Sequence, residues 1–193
     1  MSEFWNSLAQ WFGENLPASQ FVAVGSIRWW GFVALILAGR ACDLGSTYLA
    51  TPRLKLEGNP IARRLGWRGG LWLGGLTALL FGAWPLIAIS ITTTSGLVAA
   101  RNFQHAWIMR TMGEGGYQLW FADTVSRAPS RLVLGCYWAE ATLSGLPGVA
   151  LLIWGEDTRV SLGIGLGLTA YGVAIAVFST HVLWGLVRRD GPR

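Results

Sequence analysis

Four long apolar stretches restrict what this chain can fold into. They run over about residues 27–50, 70–93, 131–154 and 160–186. A helix needs roughly 20 apolar residues to cross the hydrocarbon core of a bilayer, and each stretch meets that length. The pattern predicts an all-α integral membrane four-helix bundle, with a kink at Pro85 inside the second span. We expect the whole chain to form a single transmembrane domain.

The composition favours the same environment. Charged residues make up only 13% of the 193 residues, about half the usual share in a soluble domain, and the chain is tryptophan-rich, with 12 Trp. The net charge of +5 comes from basic residues at the ends of the apolar stretches, where such residues contact lipid headgroups. No basic stripe alternates with exposed aromatic residues, which argues against nucleic-acid binding. The lipid bilayer is therefore the expected partner.

The beginning of the chain has a different pattern. Residues 4–16 place aromatic and polar side chains on opposite faces of a helix, which predicts an amphipathic helix lying in the membrane interface. The same pattern is compatible with a helix packed on a partner protein. Glu3 and Glu14 and the lack of a continuous apolar core argue against a cleavable signal peptide. We expect the first span to direct membrane insertion.

The segment between the second and third spans has mixed polarity. A helix over 97–112 is expected to extend beyond the membrane and to stop at Gly113, and 117–130 is expected to lie along the interface. Four spans place both termini on one side. A small excess of Arg and Lys on that side predicts that it is the cytoplasmic face of the inner (plasma) membrane.

Charged residues within the spans need a physical reason, because an ionised side chain in hydrocarbon is costly. Arg40, Asp43, Ser46 and Thr47 lie on or beside one face of the first helix, and Glu140 lies at a similar depth in the third. An Arg40–Asp43 pair, an Arg40–Glu140 pair or a triad would each offset part of this cost. Two interpretations stay open: an ion pair that only fixes helix register, or a site that meets a substrate, ion or proton.

The loop after the first span adds two polar residues. Asn59 precedes Pro60, the order expected for an N-cap residue and the first position of a new helix. We expect Glu57 to fold back over the end of the first span. There it and Asp43 would provide two carboxylates that share a proton or bind a cation.

One motif joins the first helix to this loop: Asp43-x-x-Ser46-Thr47, nine residues, then Glu57-x-Asn59-Pro60. The motif resembles that of small prokaryotic multi-helix membrane proteins grouped as a domain of unknown function. The similarity covers roughly residues 29–112. It implies a short membrane bundle with a site at Asp43, Glu57 and Asn59, and it implies no particular chemistry.

Other candidate residues give weaker signals. His105 and His181 are expected at different depths, which disfavours a haem between them, and no cofactor is predicted. Cys42 and Cys136 are expected to be small packing residues, and no spacing of metal ligands occurs in the sequence.

Glycines in two of the spans indicate close helix contacts. Gly70 and Gly74 form a small-xxx-small pair in the second span. Gly163, Gly165 and Gly167 lie early in the last span without a preceding strand, so close packing is favoured over a phosphate-binding loop.

The leading prediction is a multi-pass membrane protein with a polar intramembrane pocket for a small polar ligand, an ion or a lipid headgroup. The pocket is predicted to contain Arg40, Asp43, Ser46, Thr47, Glu57, Asn59 and Glu140. The first alternative is a structural or assembly subunit that contacts a membrane-protein partner or further copies of itself. The second alternative is an intramembrane enzyme acting on a lipid, with Asp43 or Glu57 as acid or base.

Overall fold

The computed structural model describes residues 21–57, 60–155 and 158–189. Within these residues the protein is all-α, with five helices and no strand. The helices are α1 (Ile27–Ala50), α2 (Pro60–Phe81), α3 (Pro85–Arg127), α4 (Ser130–Trp154) and α5 (Arg159–Arg189). The predicted interfacial helix at 4–16 lies outside the described residues.

Among the described residues, three segments are long and apolar enough to cross a membrane: Ile27–Ala50, Ser130–Trp154 and Arg159–His181. They correspond to the first, third and fourth predicted spans. Their surfaces expose large apolar side chains, for example Leu143 and Val173. Such surfaces are unfavourable in water and ordinary in lipid. The length and surface of these helices are therefore consistent with a membrane protein.

The prediction that the second span is a single helix with a kink at Pro85 is wrong. α2 ends at Phe81, residues 82–84 form a turn, and α3 begins at Pro85. Proline has no N–H to donate within a helix, so it is tolerated at the first helical position and disruptive further inside. The chain uses Pro85 to begin a helix. Five helices therefore occupy the described residues, and the four-helix bundle is not confirmed.

The predicted break at Gly113 is present within α3. The regular helix from Pro85 stops at Gly113, whose φ of 70° and ψ of 157° are not helical, and a second helical part continues across a kink to Arg127. α2 contains a similar glycine, Gly66, with a φ of 65°. A Cβ built at either glycine meets nothing within 4 Å, so the backbone conformation and not lack of space requires glycine. Each glycine separates two helical parts across a kink.

Glycines of α2 bring that helix close to α1, as predicted. A Cβ added at Gly70 would lie 3.3 Å from Leu44 Cδ2, and one added at Gly74 would lie 3.7 Å from Arg40 Cβ. Later residues of α2 thus meet earlier residues of α1, and the two helices are antiparallel.

Glycines of α5 make the same kind of contact with α3. An added Cβ would lie 2.7 Å from Ile89 Cβ at Gly163 and 2.6 Å from Thr93 Cβ at Gly167. Gly163 lies beside Ile89, and Gly167, four residues later, lies beside Thr93, also four residues later. α3 and α5 therefore run in the same direction. The predicted packing role of these two glycines is confirmed.

The helix directions alternate along the chain. α1 runs parallel to α3, since Gly39 faces Thr92 and Thr51 lies beside Glu114. α4 returns antiparallel along the other side of α5. The start of α1 and the end of α5 therefore lie at opposite ends of the bundle. The arrangement predicted from four spans, with both ends on one side, does not follow from these directions.

Two apolar clusters form the core of the described part. One joins the beginning of α1 to α2 and the beginning of α3 and contains Trp29, Val33, Ile36, Ala78, Ala83 and Ala88. The other joins α4 and α5 and contains Ala141, Tyr171 and Ile175. Four of the polar residues singled out from the sequence lie beyond the first cluster, towards the end of α1: Arg40, Asp43, Ser46 and Thr47.

Candidate functional site

Arg40 and Asp43 form an ion pair in the second half of α1. Arg40 Nη1 lies 2.7 Å from Asp43 Oδ2, and the side chains are 27% and 16% exposed. The i, i+3 spacing places both on one helical face. Because α1 is apolar enough to span a membrane, water and salt screen this pair less than a surface pair. Of the two carboxylates considered for Arg40, Asp43 is the one that pairs with it.

Asn102 of α3 connects this pair to a second helix. Its Nδ2 donates hydrogen bonds to Ser46 Oγ at 3.2 Å and to Thr47 Oγ1 at 3.0 Å. Ser46 and Thr47 are buried, and Ser46 Oγ donates to the carbonyl oxygen of Asp43 at 2.8 Å. Arg40, Asp43, Ser46, Thr47 and Asn102 are called the polar cluster below.

A short segment, 51–57, follows α1 and is attached to α3. Thr51 Oγ1 donates to Glu114 Oε1 at 3.0 Å, and the Arg53 N–H donates to the same oxygen at 2.7 Å. Thr51 Oγ1 also accepts a hydrogen bond from the Leu56 N–H at 3.2 Å. One carboxylate oxygen of α3 thus holds the first turn of this segment.

The two loop residues of the predicted motif have different outcomes. Glu57, at the end of segment 51–57, lies within electrostatic range of Asp43. Asn59 lies outside the described residues, although α2 does begin at Pro60 as predicted.

Glu140 belongs to a different polar group. Arg101 Nη2 lies 3.2 Å from Glu140 Oε2, and the side chains are 31% and 38% exposed. The Arg101 guanidinium lies 5.9 Å from the centre of the Tyr137 ring and also interacts with the buried Tyr171. Neither the Arg40–Glu140 pair nor the triad is formed, because α3 supplies Arg101 as the partner of this carboxylate.

Tyr117, in the part of α3 after Gly113, lies outside the three candidate spans. Burial raises the pKa of the Tyr117 phenol above its ordinary value, Tyr137 raises it further, and Arg101 opposes both. The phenol is therefore neutral at physiological pH. It adds a hydroxyl, and no charge, to the surroundings of Arg101.

The remaining candidates lie apart from the polar cluster. His105 and His181 are exposed, and His105 Nδ1 lies 3.1 Å from the carbonyl oxygen of Arg101. Cys42 and Cys136 are also exposed, so the expected inward packing is wrong: α1 and α4 turn these faces outward. Within the described ranges, no three His, Cys, Asp or Glu residues are placed to hold a metal ion.

A groove of about 470 Å³ lies between α4 and α5. It is lined by Trp138, Ala176, Val177, Thr180 and His181. None of the predicted site residues lines this groove. Its mainly apolar lining suits a surface that contacts lipid chains.

Sequence analysis missed Asn102 and Glu114 because they lie in the stretch interpreted as an extension beyond the membrane. A signal was present for Asn102. Ser95, Ala99 and Ala106 are buried and small, and together with Asn102 they follow helical spacing along one face. A stripe of small residues marks close approach of another helix, and an Asn in such a stripe needs a hydrogen-bond partner there.

The charges and acceptors of the polar cluster determine what it can bind. Asp43 is paired with Arg40 through its Oδ2. Ser46, Thr47 and Asn102 add neutral oxygens. The polar cluster therefore combines one carboxylate with several oxygen acceptors inside an apolar surrounding, where polar groups need partners.

Comparison with family models, with curated proteins and with solved structures finds no match in any of the three. The resemblance carried by the motif from Asp43 to Pro60 thus remains a prediction.

Proposed function

We propose that this is a multi-pass integral membrane protein whose polar cluster binds a small ammonium group, carried by a solute or by a lipid headgroup. The bilayer is its environment, and the plasma membrane is the proposed location. The motif residues Asp43 and Glu57 supply the charge. Ser46, Thr47 and Asn102 supply neutral acceptors.

The observation that carries the proposal is the Asp43 carboxylate within a helix of membrane-spanning character. Its Oδ2 contacts Arg40, and the neighbouring hydroxyls are held by an amide from another helix. A register-fixing ion pair needs only the Arg40–Asp43 contact. The additional buried polar groups each cost desolvation, which is more readily explained when they also serve a ligand.

The type of ligand follows from the charge. The Asp43 carboxylate, which contacts Arg40 through Oδ2, attracts an ammonium group. A divalent ion such as Ca²⁺ usually requires six or more oxygens and several carboxylates at about 2.3–2.6 Å. A singly charged ammonium group needs fewer and donates hydrogen bonds to neutral oxygens as well.

Ligand-induced stabilisation tests the proposal. The wild-type protein is reconstituted in phosphatidylglycerol nanodiscs, and its melting temperature is measured with added ethanolamine and, separately, with phosphatidylethanolamine in the disc. NaCl at the same ionic strength is the reference. A ligand at a hundredfold excess over its Kd stabilises by about 2.7 kcal/mol, which corresponds to roughly 5–10 °C in a chain of this size.

The same measurement on two variants locates the effect. Asp43→Asn should abolish the ligand-induced shift, whatever its own melting temperature. Asp123→Asn is the matched control: Asp123 also pairs with an Arg, Arg127, on an exposed part of α3, and this variant should keep the shift. Stabilisation by ethanolamine alone identifies a solute, and stabilisation by the lipid alone identifies a headgroup. Absence of any shift in wild type, or an equal shift in Asp43→Asn, refutes the proposal.

A further inference from the structure

The segment 51–57 is held from two sides by residues far away in sequence. On one side Glu114 Oε1 accepts hydrogen bonds from Thr51 Oγ1 and from the Arg53 N–H. On the other side Trp67 Nε1 of α2 donates to the carbonyl oxygen of Pro52 at 2.9 Å. The segment after α1 is thus clamped between α3 and α2.

Each clamping residue directly follows a glycine with positive φ. Gly113 precedes Glu114, and Gly66 precedes Trp67. Neither glycine is required by lack of space, since an added Cβ would meet nothing within 4 Å. The left-handed backbone conformation is what requires glycine at these points. It turns each helix just before the side chain that contacts segment 51–57.

The clamp reaches the polar cluster through Thr51. Thr51 is 4% exposed, and its N–H donates to the carbonyl oxygen of Thr47, a member of the polar cluster, at 2.7 Å. The position of segment 51–57 therefore affects the end of α1, where Ser46 and Thr47 lie.

We propose that Glu114 is a positioning residue of the ammonium site: its carboxylate holds segment 51–57 beyond the end of α1, where Thr51 joins the segment to Thr47 of the polar cluster. This inference rests on the proposed function, because it assigns Glu114 a role in that same site. Glu114 does not contact the polar cluster itself. It acts through Thr51 and the Arg53 N–H, and the turn at Gly113 directs it towards them.

The two oxygens of Glu114 suggest a conservative variant. Oε1 accepts both hydrogen bonds, whereas Oε2 is buried without a hydrogen-bond partner among the described residues. Glu114→Gln keeps an acceptor at the first position and is expected to hold the segment. Glu114→Ala removes the acceptor and is expected to release it. Asp123→Ala is the matched control on the same helix, because its carboxylate pairs with Arg127 on the exposed surface of α3.

Three measurements are made on the full chain in nanodiscs. Hydrogen exchange of peptides covering 51–57 reports release of the segment. Modification of Asp43 by N,N′-dicyclohexylcarbodiimide, quantified by mass spectrometry, reports access to the site. The melting shift with ethanolamine reports binding. Thr51→Val is a second variant, which removes one donor to Glu114 without altering α3.

We expect Glu114→Ala to raise the exchange of 51–57 and the labelling of Asp43 by at least about tenfold, the effect of losing hydrogen bonds to a charged group. Exchange in α4 and α5 should not change, and ethanolamine should bind at least about tenfold more weakly. Glu114→Gln should stay close to wild type in each measurement. Thr51→Val should show part of each change, and Asp123→Ala should show none.

Unchanged exchange at 51–57 in both Glu114→Ala and Thr51→Val overturns the proposal. So does an equal rise throughout α4 and α5, which would indicate general destabilisation. If exchange and labelling change as expected while ethanolamine stabilises no variant, including wild type, the attachment of 51–57 by Glu114 is supported and the ammonium site is refuted.

Discussion

Replacing Gly148 of α4 by Ala tests the contact between α4 and α5 directly. A Cβ at this position would lie 2.6 Å from Gly165 O and 2.7 Å from Thr169 N, both backbone atoms of α5. It would also lie 2.6 Å from Thr169 Oγ1. Carbon contacts are ordinarily 3.4 Å or longer, so the two helices would have to separate locally by roughly 0.8 Å. A gap of that size forfeits about a quarter to a half of the dispersion energy of neighbouring contacts.

The expected loss of stability follows from two opposing terms. Overpacking against a rigid backbone costs up to about 3 kcal/mol, and the better helix propensity of Ala returns up to about 1 kcal/mol. The net loss of about 2 kcal/mol lowers the melting temperature of a chain of this size by roughly 4–8 °C. Intrinsic tryptophan fluorescence during heating in detergent measures this change. α4 packs mainly on α5, so no other helix compensates for the displacement.

Two further variants separate this mechanism from others. Gly135, on the same helix, has nothing within 4 Å of an added Cβ, so Gly135→Ala should melt at or slightly above wild type. Adding Thr169→Ala to Gly148→Ala removes the hydroxyl but leaves the two backbone atoms, so only part of the loss should return. Equal melting of Gly148→Ala and Gly135→Ala would refute the packing of α4 on α5 on which this reasoning depends.

Two other predictions concern the junction of α1 with α3 and the direction of the chain. Asn102→Leu removes both hydrogen bonds to the α1 hydroxyls and should cost about 1–3 kcal/mol, measured by the same melting assay. The exposed Gln118 of α3 gives the control, and equal melting of Gln118→Leu and Asn102→Leu would contradict the role of Asn102. Because α1 begins and α5 ends at opposite ends of the bundle, reporters fused before Met1 and after Arg193 should be active on opposite sides of the membrane. Activity of both on one side would show that the helices do not all cross it.

The sequence predicts α1, α4 and α5 closely because the length of an apolar stretch is itself the physical requirement for a spanning helix. The outcome at Pro85 could not be predicted in this way. Proline both kinks helices and begins them. Which outcome occurs depends on contacts with other helices, and no local pattern contains those contacts.

In the site, too, contacts between residues close in sequence could be predicted, whereas contacts between distant residues could not. The partner of Arg40 is three residues away on its own helix, so helical spacing includes Asp43 among a few candidates. Asn102 contacts Ser46 across 56 residues, and Glu114 contacts Thr51 across 63. Contacts at such separations follow from the parallel packing of α1 and α3. The four-span interpretation placed residues 97–112 of α3, which include Asn102, beyond the membrane.

Successive residues of α3 serve the two polar groups of the protein. Asn102 donates to Ser46 and Thr47 of α1, and Arg101 pairs with Glu140 of α4. Neighbouring residues of a helix point about 100° apart, so α3 presents one face to α1 and another to α4 and α5. α3 is therefore the helix that contacts both polar groups.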